Sequence, residues 1–188
     1  MPPRHEVQRL FFALWPDAAL RQRVAAATAR LAASQGIGGR RLRPDRYHLT
    51  LQFLGSFDPL PEAVVDAAMV AADDVRGAGF TLTLDRSGSF GGKRVGWLGP
   101  TRMPPGLQAF WQALGLALDR HGVPRESSAA SPWTPHVTVV RGLRRVLPAV
   151  EIAPLAWPVD GFVLIRSQYD GTGYTVLQHW RLGERAGV

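Results

Sequence analysis

Cysteine is absent from this 188-residue sequence, and no uninterrupted apolar run is long enough to cross a membrane. Without cysteine, the chain has no disulfide, no thiolate ligand for zinc or an iron–sulfur cluster, and no cysteine nucleophile. A membrane helix needs ~18 apolar residues in a row, and the first residues lack the apolar core of a secretory leader. We therefore expect a soluble, cytoplasmic protein with no membrane partner.

Lysine is also nearly absent, since Lys93 is the single lysine among 22 basic residues. The formal net charge is +7, and a basic surface attracts polyanions through long-range electrostatics. Arginine suits phosphate because its planar guanidinium donates hydrogen bonds in a fork. The chain is also rich in alanine, glycine and proline, which is typical of G/C-rich codon usage. The charge therefore agrees with an RNA partner without requiring one.

We expect one compact domain over residues 1–188, as a monomer. Hydrophobic residues make up 46% of the sequence, enough for one core or for two small lobes that share an interface. Apolar runs and alternating patterns predict strands at 10–15, 47–54, 80–84, 95–100, 133–140 and 162–165, and a last strand that contains His179. Alanine- and leucine-rich stretches predict helices at 18–33, 61–75 and 107–120, and a turn is predicted at 87–92. The order strand, helix, strand recurs in the second half, which indicates a diverged duplication of this unit.

Each half carries one His-x-Thr-x segment within a predicted strand, His48-Leu49-Thr50-Leu51 and His136-Val137-Thr138-Val139. Side chains alternate across a strand that rises ~3.3 Å per residue, so a His and a Thr two apart stand on one face, ~7 Å from each other. The intervening leucines and valines then face the core. If a pseudo-two-fold axis relates the halves, the two polar pairs face each other across a cleft, with one imidazole on each side of a phosphorus.

Two imidazoles in this arrangement suit an in-line displacement, in which one activates the attacking oxygen and the other protonates the leaving oxygen. An ordinary histidine pKa near 6.5 lets one ring be neutral and the other protonated near neutral pH. The hydroxyls of Thr50 and Thr138 can donate to non-bridging phosphate oxygens, and these hydrogen bonds strengthen as negative charge develops. One such motif is common in structural strands, but two at matching places favour catalysis.

Other signals do not indicate a cofactor. The acidic pair Asp73-Asp74 has neither the spacing nor the context of a two-metal carboxylate site, and no Asp, Glu or His lies at ligand spacing from His48 or His136. Glycine-rich stretches at 36–39 and 88–92 lack the Gly-x-x-x-x-Gly-Lys pattern of a nucleotide-triphosphate loop. We therefore expect neither a metal nor another cofactor.

Arginines cluster next to both motifs. They lie just before the first motif (Arg40, Arg41, Arg43 and Arg46) and just after the second (Arg141, Arg144 and Arg145). This placement suggests an RNA-binding rim at the entrances to the cleft, and an exposed charged loop is the alternative interpretation.

The paired motifs and their flanks resemble the two-histidine (2H) phosphoesterase superfamily. Within it they resemble the bacterial and archaeal RNA 2′,3′-cyclic phosphodiesterase family, also named 2′-5′ RNA ligase. The resemblance spans residues 9 to 182 and is carried by Arg9-Leu10-Phe11-Phe12-Ala13, by residues 47–55 and 135–141, and by Ser167, Tyr169, Gly173, Tyr174, Leu177 and Trp180. It implies an α+β, bilobal fold with two pseudo-two-fold related antiparallel sheets, each backed by helices, and a cleft between the lobes.

The resemblance also implies a reaction and its participants. Members open a terminal 2′,3′-cyclic phosphate of RNA to leave a 2′-phosphate, and some reversibly join tRNA halves through a 2′-5′ bond without ATP. The implied partner is therefore an RNA with a cyclic phosphate end, such as a tRNA half or an oligonucleotide. By match, His48 is the proton donor to the departing 3′ oxygen, and His136 is the proton acceptor that activates water.

Three further residues match family positions. Arg141 matches a basic residue that assists at the phosphate, although strict alternation puts it on the face opposite His136. Gly142 permits the strand end or bulge that would turn Arg141 inward. Phe12 and Tyr174 match aromatic positions that could contact the terminal base, and for both of them ordinary core packing is the alternative.

Three other functions remain open from the sequence. Another 2H enzyme would act on ADP-ribose cyclic phosphate, small cyclic nucleotides or a 3′ oligouridine tail, because such enzymes share the acid–base core and differ in their loops. A non-catalytic RNA-end binding module is a rival of another class, but it has no need of two titrating groups. A zinc hydrolase that uses the two histidines is the weakest rival, because further ligands are not at suitable spacing.

Overall fold

The computed structural model describes residues 7–90, 92, 94–126, 133–168 and 173–183. Lys93 and Tyr169, which the sequence singles out, lie outside these ranges. The described residues form the strands β1 Gln8–Leu14, β2 Arg40–Arg41, β3 Leu49–Phe57, β4 Phe80–Phe90, β5 Val95–Gly99, β6 Val137–Arg141, β7 Val150–Val159, β8 Gly161–Gln168 and β9 Tyr174–Arg181. The helices are α1 Ala18–Gln35, α2 Glu62–Asp73 and α3 Pro105–Arg120, and a 3-10 turn spans Pro44–Arg46.

The strands pair antiparallel throughout, in the order β7-β4-β5-β6-β3-β1-β8-β9, with β2 on the free edge of β6. We call β3, β1, β8 and β9 the His48 half-sheet, and β7, β4, β5, β6 and β2 the His136 half-sheet. Each half-sheet takes strands from both halves of the chain. The two are joined where β3 meets β6, through the single register pair Leu49 and Val137.

All three helices pack against one face of this sheet. Their buried hydrophobic side chains belong to the main hydrophobic core, together with Leu10, Phe12 and Leu14 of β1. The alternate β1 residues, Phe11 and Ala13, belong to a separate small cluster on the other face. This division follows from the period-2 alternation of a strand, and it leaves the second face open for polar groups.

The predicted α+β class with antiparallel sheets is confirmed, and most predicted elements are present with shifted ends. Helix α1 begins after Asp17, whose Oδ1 accepts from the Leu20 amide at 2.7 Å, and it ends at Gly36 in the left-handed conformation. The predicted turn at 87–92 is wrong in its first part, because β4 continues to Phe90 in a ladder with β5.

Two strands, β7 and β2, were not predicted from the sequence. Strand β7 contains Pro154 and Pro158, and prolines argue against a central strand. They are tolerated because β7 lies at the edge of the sheet and pairs with β4 alone. Strand β2 is just two arginines long. Among the described residues, no helix is both long and apolar enough to span a membrane.

Candidate active site

The two His-x-Thr segments meet at the junction of the half-sheets. In an antiparallel pair the residues that flank a register pair also oppose each other, so the Leu49–Val137 pair sets His48 beside Thr138 and Thr50 beside His136. Leu49 and Val137 are both fully buried, and the flanking residues are half-buried on the opposite face. One register pair therefore brings all four polar side chains to one face of the sheet.

Each histidine directly precedes its strand and is held in the same way. Nδ1 of His48 donates to the backbone carbonyl of Arg46 at 2.9 Å, and Nδ1 of His136 donates to the carbonyl of Thr134 at 2.8 Å. A carbonyl oxygen can only accept, so this contact sets the tautomer of the neutral ring with the proton on Nδ1. Nε2 is thereby the nitrogen that each ring presents for proton transfer.

The rings around His48 make its surroundings strongly apolar. Its imidazole lies 5.2 Å from the ring of Phe11, 6.4 Å from that of Trp15 and 5.2 Å from that of Tyr174, between ring centroids. Desolvation by these neighbours lowers the His48 pKa to about 4, although the hydrogen bond to the Arg46 carbonyl acts in the opposite direction. The charges of His136, Arg141 and Arg46 lower it further.

A pair of stacked tryptophans forms hydrogen bonds with the backbone of β3 at Thr50 and Leu51. The rings of Trp111 and Trp133 lie 5.0 Å apart and within 8° of parallel. Trp133 Nε1 donates to the Thr50 carbonyl at 3.2 Å, and Trp111 Nε1 donates to the Leu51 carbonyl at 2.8 Å. The two indoles therefore satisfy backbone acceptors of β3 next to the first motif.

A β-bulge turns Arg141 towards the histidines. In the ladder between β5 and β6, Trp97 pairs with Thr138 and Gly96 with Val140, so Val139 is passed over. Val139 and Val140 are therefore both buried, and Arg141 is exposed on the same face as Thr138. The bulge resolves the conflict with strict alternation, and the Arg141 charge acts on His48.

Phe12 is not available to a base, so its predicted base contact is wrong. The side chain is fully buried in the main core, where its ring lies 6.0 Å from that of Phe162 and 5.7 Å from that of Trp180. Strand alternation brings Phe11 to the histidine face instead. Tyr174 lies beside His48, and its base contact stays a prediction. Phe11 and Trp15 were missed, because the period-2 pattern of β1 separates Phe11 from Phe12 without showing which face the helices cover.

A pocket of about 240 Å³ crosses the junction between the half-sheets, and its lining residue Tyr174 contacts the His48 ring edge-on. We call it the arginine pocket, because its lining includes Arg9, Arg40, Arg41, Arg43, Arg46 and Arg141. Ser167, Gln168 and Tyr174 complete its polar wall. Within the described ranges, no three or more His, Cys, Asp or Glu side chains come together in a group able to hold a metal ion.

A family model described as the 2′-5′ RNA ligase superfamily matches residues 16–171 of this chain. The chain belongs to the 2′-5′ RNA ligase superfamily. It is 34% identical to the RNA 2′,3′-cyclic phosphodiesterase of Escherichia coli over 183 residues, covering 94% of this chain and 98% of the relative. It is 31% identical to the RNA 2′,3′-cyclic phosphodiesterase of Thermus thermophilus, covering 93% and 90%.

Solved structures of E. coli LigT agree with the architecture of this superfamily member. Apo LigT has a TM-score of 0.76 and 34% identity, covering 95% of this chain and 99% of LigT. LigT complexed with 3′-AMP has a TM-score of 0.75 and 32% identity, covering 94% and 98%. The expected membership of the family is confirmed, and with it the prediction that the chain is an enzyme of the phosphodiesterase class.

Proposed function

We propose that this enzyme hydrolyses the terminal 2′,3′-cyclic phosphate of RNA to a 2′-phosphate by metal-free acid–base catalysis. The observation that carries the proposal is the Leu49–Val137 register pair, since it explains how two distant His-x-Thr segments can act on one phosphorus. The names of the E. coli and T. thermophilus relatives support this substrate, and so does the complex of LigT with 3′-AMP.

In the proposed reaction, His136 Nε2 accepts a proton from water while the water oxygen bonds to phosphorus. The bond from phosphorus to the 3′ oxygen breaks, and His48 Nε2 donates the proton that this oxygen requires. The product carries a 2′-phosphate and a 3′ hydroxyl. A 5′ hydroxyl from a second RNA strand in place of water would form a 2′-5′ bond by the same proton transfers.

Thr50, Thr138 and Arg141 are the proposed phosphate ligands. The threonine hydroxyls donate to the non-bridging oxygens, whose charge increases in the transition state. Arg141 contributes a permanent positive charge and hydrogen bonds in a planar fork. Tyr174 forms a wall beside His48, where an aromatic face suits the terminal nucleoside.

The low pKa of the buried His48 determines at which step of the reaction its Nε2 becomes protonated. With a pKa of about 4 in the free enzyme, the ring is neutral at pH 7 and has no proton to donate from Nε2. An anionic phosphate next to the ring favours the charged imidazolium and raises its pKa. The substrate therefore recruits the catalytic proton as it binds.

The deciding experiment is to incubate the enzyme, with EDTA present, with a short RNA that ends in a 2′,3′-cyclic phosphate. The expected product is a 2′-phosphate, distinguished from the 3′ isomer by chromatography against synthetic standards. The His48→Ala and His136→Ala proteins are the controls for contaminating nucleases. A 3′-phosphate, a requirement for metal, or no product would each contradict the proposed reaction.

A further inference from the structure

The arginine pocket has far more positive charge than one cyclic phosphodiester can use. Among the described residues, six arginines line it and no Asp or Glu does so. Arg43 is partnered by the exposed Asp45, with Nε 3.1 Å from Oδ1. Within the described part of the chain, no carboxylate lies at ion-pair distance from Arg40, Arg41 or Arg141. These three lining residues therefore carry positive charge without a carboxylate at ion-pair distance in that part of the chain.

The backbone forces part of this cluster together. Arg40 and Arg141 are direct register partners in the ladder between β2 and β6, and like charges directly opposite on neighbouring strands are destabilising. Gly39, at φ 118, permits the approach, because a Cβ there would lie 2.8 Å from the Arg141 carbonyl oxygen. A bound anion would relieve the repulsion that the fold imposes.

The pocket is adjacent to the reacting histidine and draws on both half-sheets. Arg40, Arg41 and Arg141 come from β2 and β6, whereas Ser167 and Tyr174 come from β8 and β9. The guanidinium of Arg46 lies 4.5 Å from the Tyr174 ring centroid, and that ring contacts the His48 ring edge-on. The pocket is thus one side chain away from the proposed cyclic phosphate site.

We propose that the arginine pocket binds the phosphate on the 5′ oxygen of the terminal nucleotide, so that the enzyme prefers RNA ends over bare nucleoside cyclic phosphates. In an RNA strand this phosphate is the next anion along the chain from the cyclic end. The polar, cationic lining suits a phosphate better than a base. The inference rests on the proposed function and names the substrate feature that the same cleft selects.

The test compares three substrates that differ at the 5′ oxygen. These are adenosine 2′,3′-cyclic phosphate, the same nucleotide with a 5′-phosphate, and the dinucleotide ApA with a 2′,3′-cyclic phosphate end. We expect kcat/KM to be about 10- to 100-fold higher for both 5′-phosphorylated substrates than for the bare nucleotide, the range typical of hydrogen bonds to a charged group. Comparison of the 5′-phosphorylated nucleotide with the dinucleotide separates recognition of the phosphate from recognition of a second nucleoside.

The variant for this test is Arg40→Gln/Arg41→Gln, which keeps Arg141 beside His48. The readout is the ratio of kcat/KM between substrates with and without the 5′-phosphate, which we expect to fall to within about threefold of one. The matched control is Arg30→Gln/Arg120→Gln, which removes the same charge from exposed positions of α1 and α3 and should keep the wild-type ratio. Circular dichroism and thermal unfolding check that both variants fold.

A binding experiment separates failure of the pocket from failure of the proposed function. Calorimetry compares adenosine 2′-monophosphate with adenosine 2′,5′-bisphosphate, and we expect about tenfold tighter binding of the bisphosphate that the pocket variant loses. This result would support the pocket even if no substrate were turned over. Equal ratios for all substrates, a preference for the dinucleotide alone, or a preference that survives in the pocket variant would each overturn the inference.

Discussion

The two histidine sites share a backbone design and differ in what surrounds them. In both, Nδ1 donates to the carbonyl two residues earlier, and the ring directly precedes a strand of the central sheet. Within the described residues, three aromatic rings contact His48. In the same part of the chain, the ring of Phe90 contacts His136 edge-on, with the ring centroids 4.8 Å apart. A repeated motif can therefore supply two groups of the same backbone design, while tertiary neighbours lower the pKa of His48.

The largest expected effect comes from removing either imidazole. We expect His48→Ala and His136→Ala each to lower the single-turnover rate by about 10²- to 10⁴-fold, because each removes one proton transfer. Thr50→Val and Thr138→Val should cost less, since a hydroxyl supplies one hydrogen bond. A histidine variant that stays within tenfold of the wild-type rate would remove that ring from the mechanism.

A substrate with sulfur in place of the bridging 3′ oxygen sharpens the comparison between donor and acceptor. A thiolate leaves without protonation far more readily than an alkoxide, so the loss caused by His48→Ala should shrink by about 100-fold on this substrate. The loss caused by His136→Ala should persist, because water must still be activated. Rescue of the His136 variant instead would exchange the two proposed roles.

Binding of a phosphate anion should be accompanied by proton uptake at His48. The His48 pKa of about 4 in the free protein leaves the ring neutral at pH 6, and an adjacent anion raises that pKa. Calorimetry with sulfate, a tetrahedral anion that does not titrate near pH 6, in two buffers of different ionisation enthalpy measures the uptake, which we expect to approach one proton. The uptake should vanish in His48→Ala and remain in His136→Ala, and its presence in both variants would locate the proton elsewhere.

The burial of His48 should also make folding stability depend on pH. The unfolded chain binds a proton at this ring near pH 6.5, whereas the folded chain does so near pH 4. The free energy of unfolding is therefore not reduced by this group above about pH 6.5. It declines as the pH falls from there towards 4, by about 1 to 3 kcal/mol for a partly exposed ring. Urea unfolding at pH 7 and pH 5 should show a smaller decline in His48→Ala than in wild type. An equal decline in the two proteins would mean that the ring is not desolvated.

The smallest expected effect tests the aromatic surroundings themselves. Trp15→Leu removes one ring from His48, so water reaches the imidazole and the His48 pKa should rise towards its ordinary value, by less than one unit. Phe90→Leu, beside His136, is the matched control and should leave the His48 titration unchanged. Nuclear magnetic resonance of the imidazole protons follows both titrations, and an equal response to the two substitutions would contradict the comparison.

Much of the site was predictable because strand alternation is a local property. Leu49, Leu51, Val137 and Val139 are buried as the pattern predicts, and this burial sends the neighbouring His and Thr side chains to the other face. The resemblance in the two motifs identified the family. The same local rule fails at Arg141, because the bulge at Val139 exchanges the faces, and a bulge depends on the partner strand.

Local pattern also could not choose between Phe11 and Phe12. Both belong to one apolar run, and which of them reaches His48 depends on the face that the helices cover. The arginine pocket is a stronger case, because Arg40 meets Arg141 through pairing of β2 with β6. Two exposed arginines give no hydrophobic periodicity from which such a strand could be predicted.

The sequence by itself determined the family, the four polar residues of the motifs and the alternation that exposes them. These follow from residue identity and from the fixed period of an extended chain. The tertiary structure alone decided the burial of His48, the orientation of Arg141 and the convergence of the arginines. Each of these depends on contacts between residues far apart in the chain, and such contacts set the local dielectric and the strand register on which pKa and side-chain direction depend.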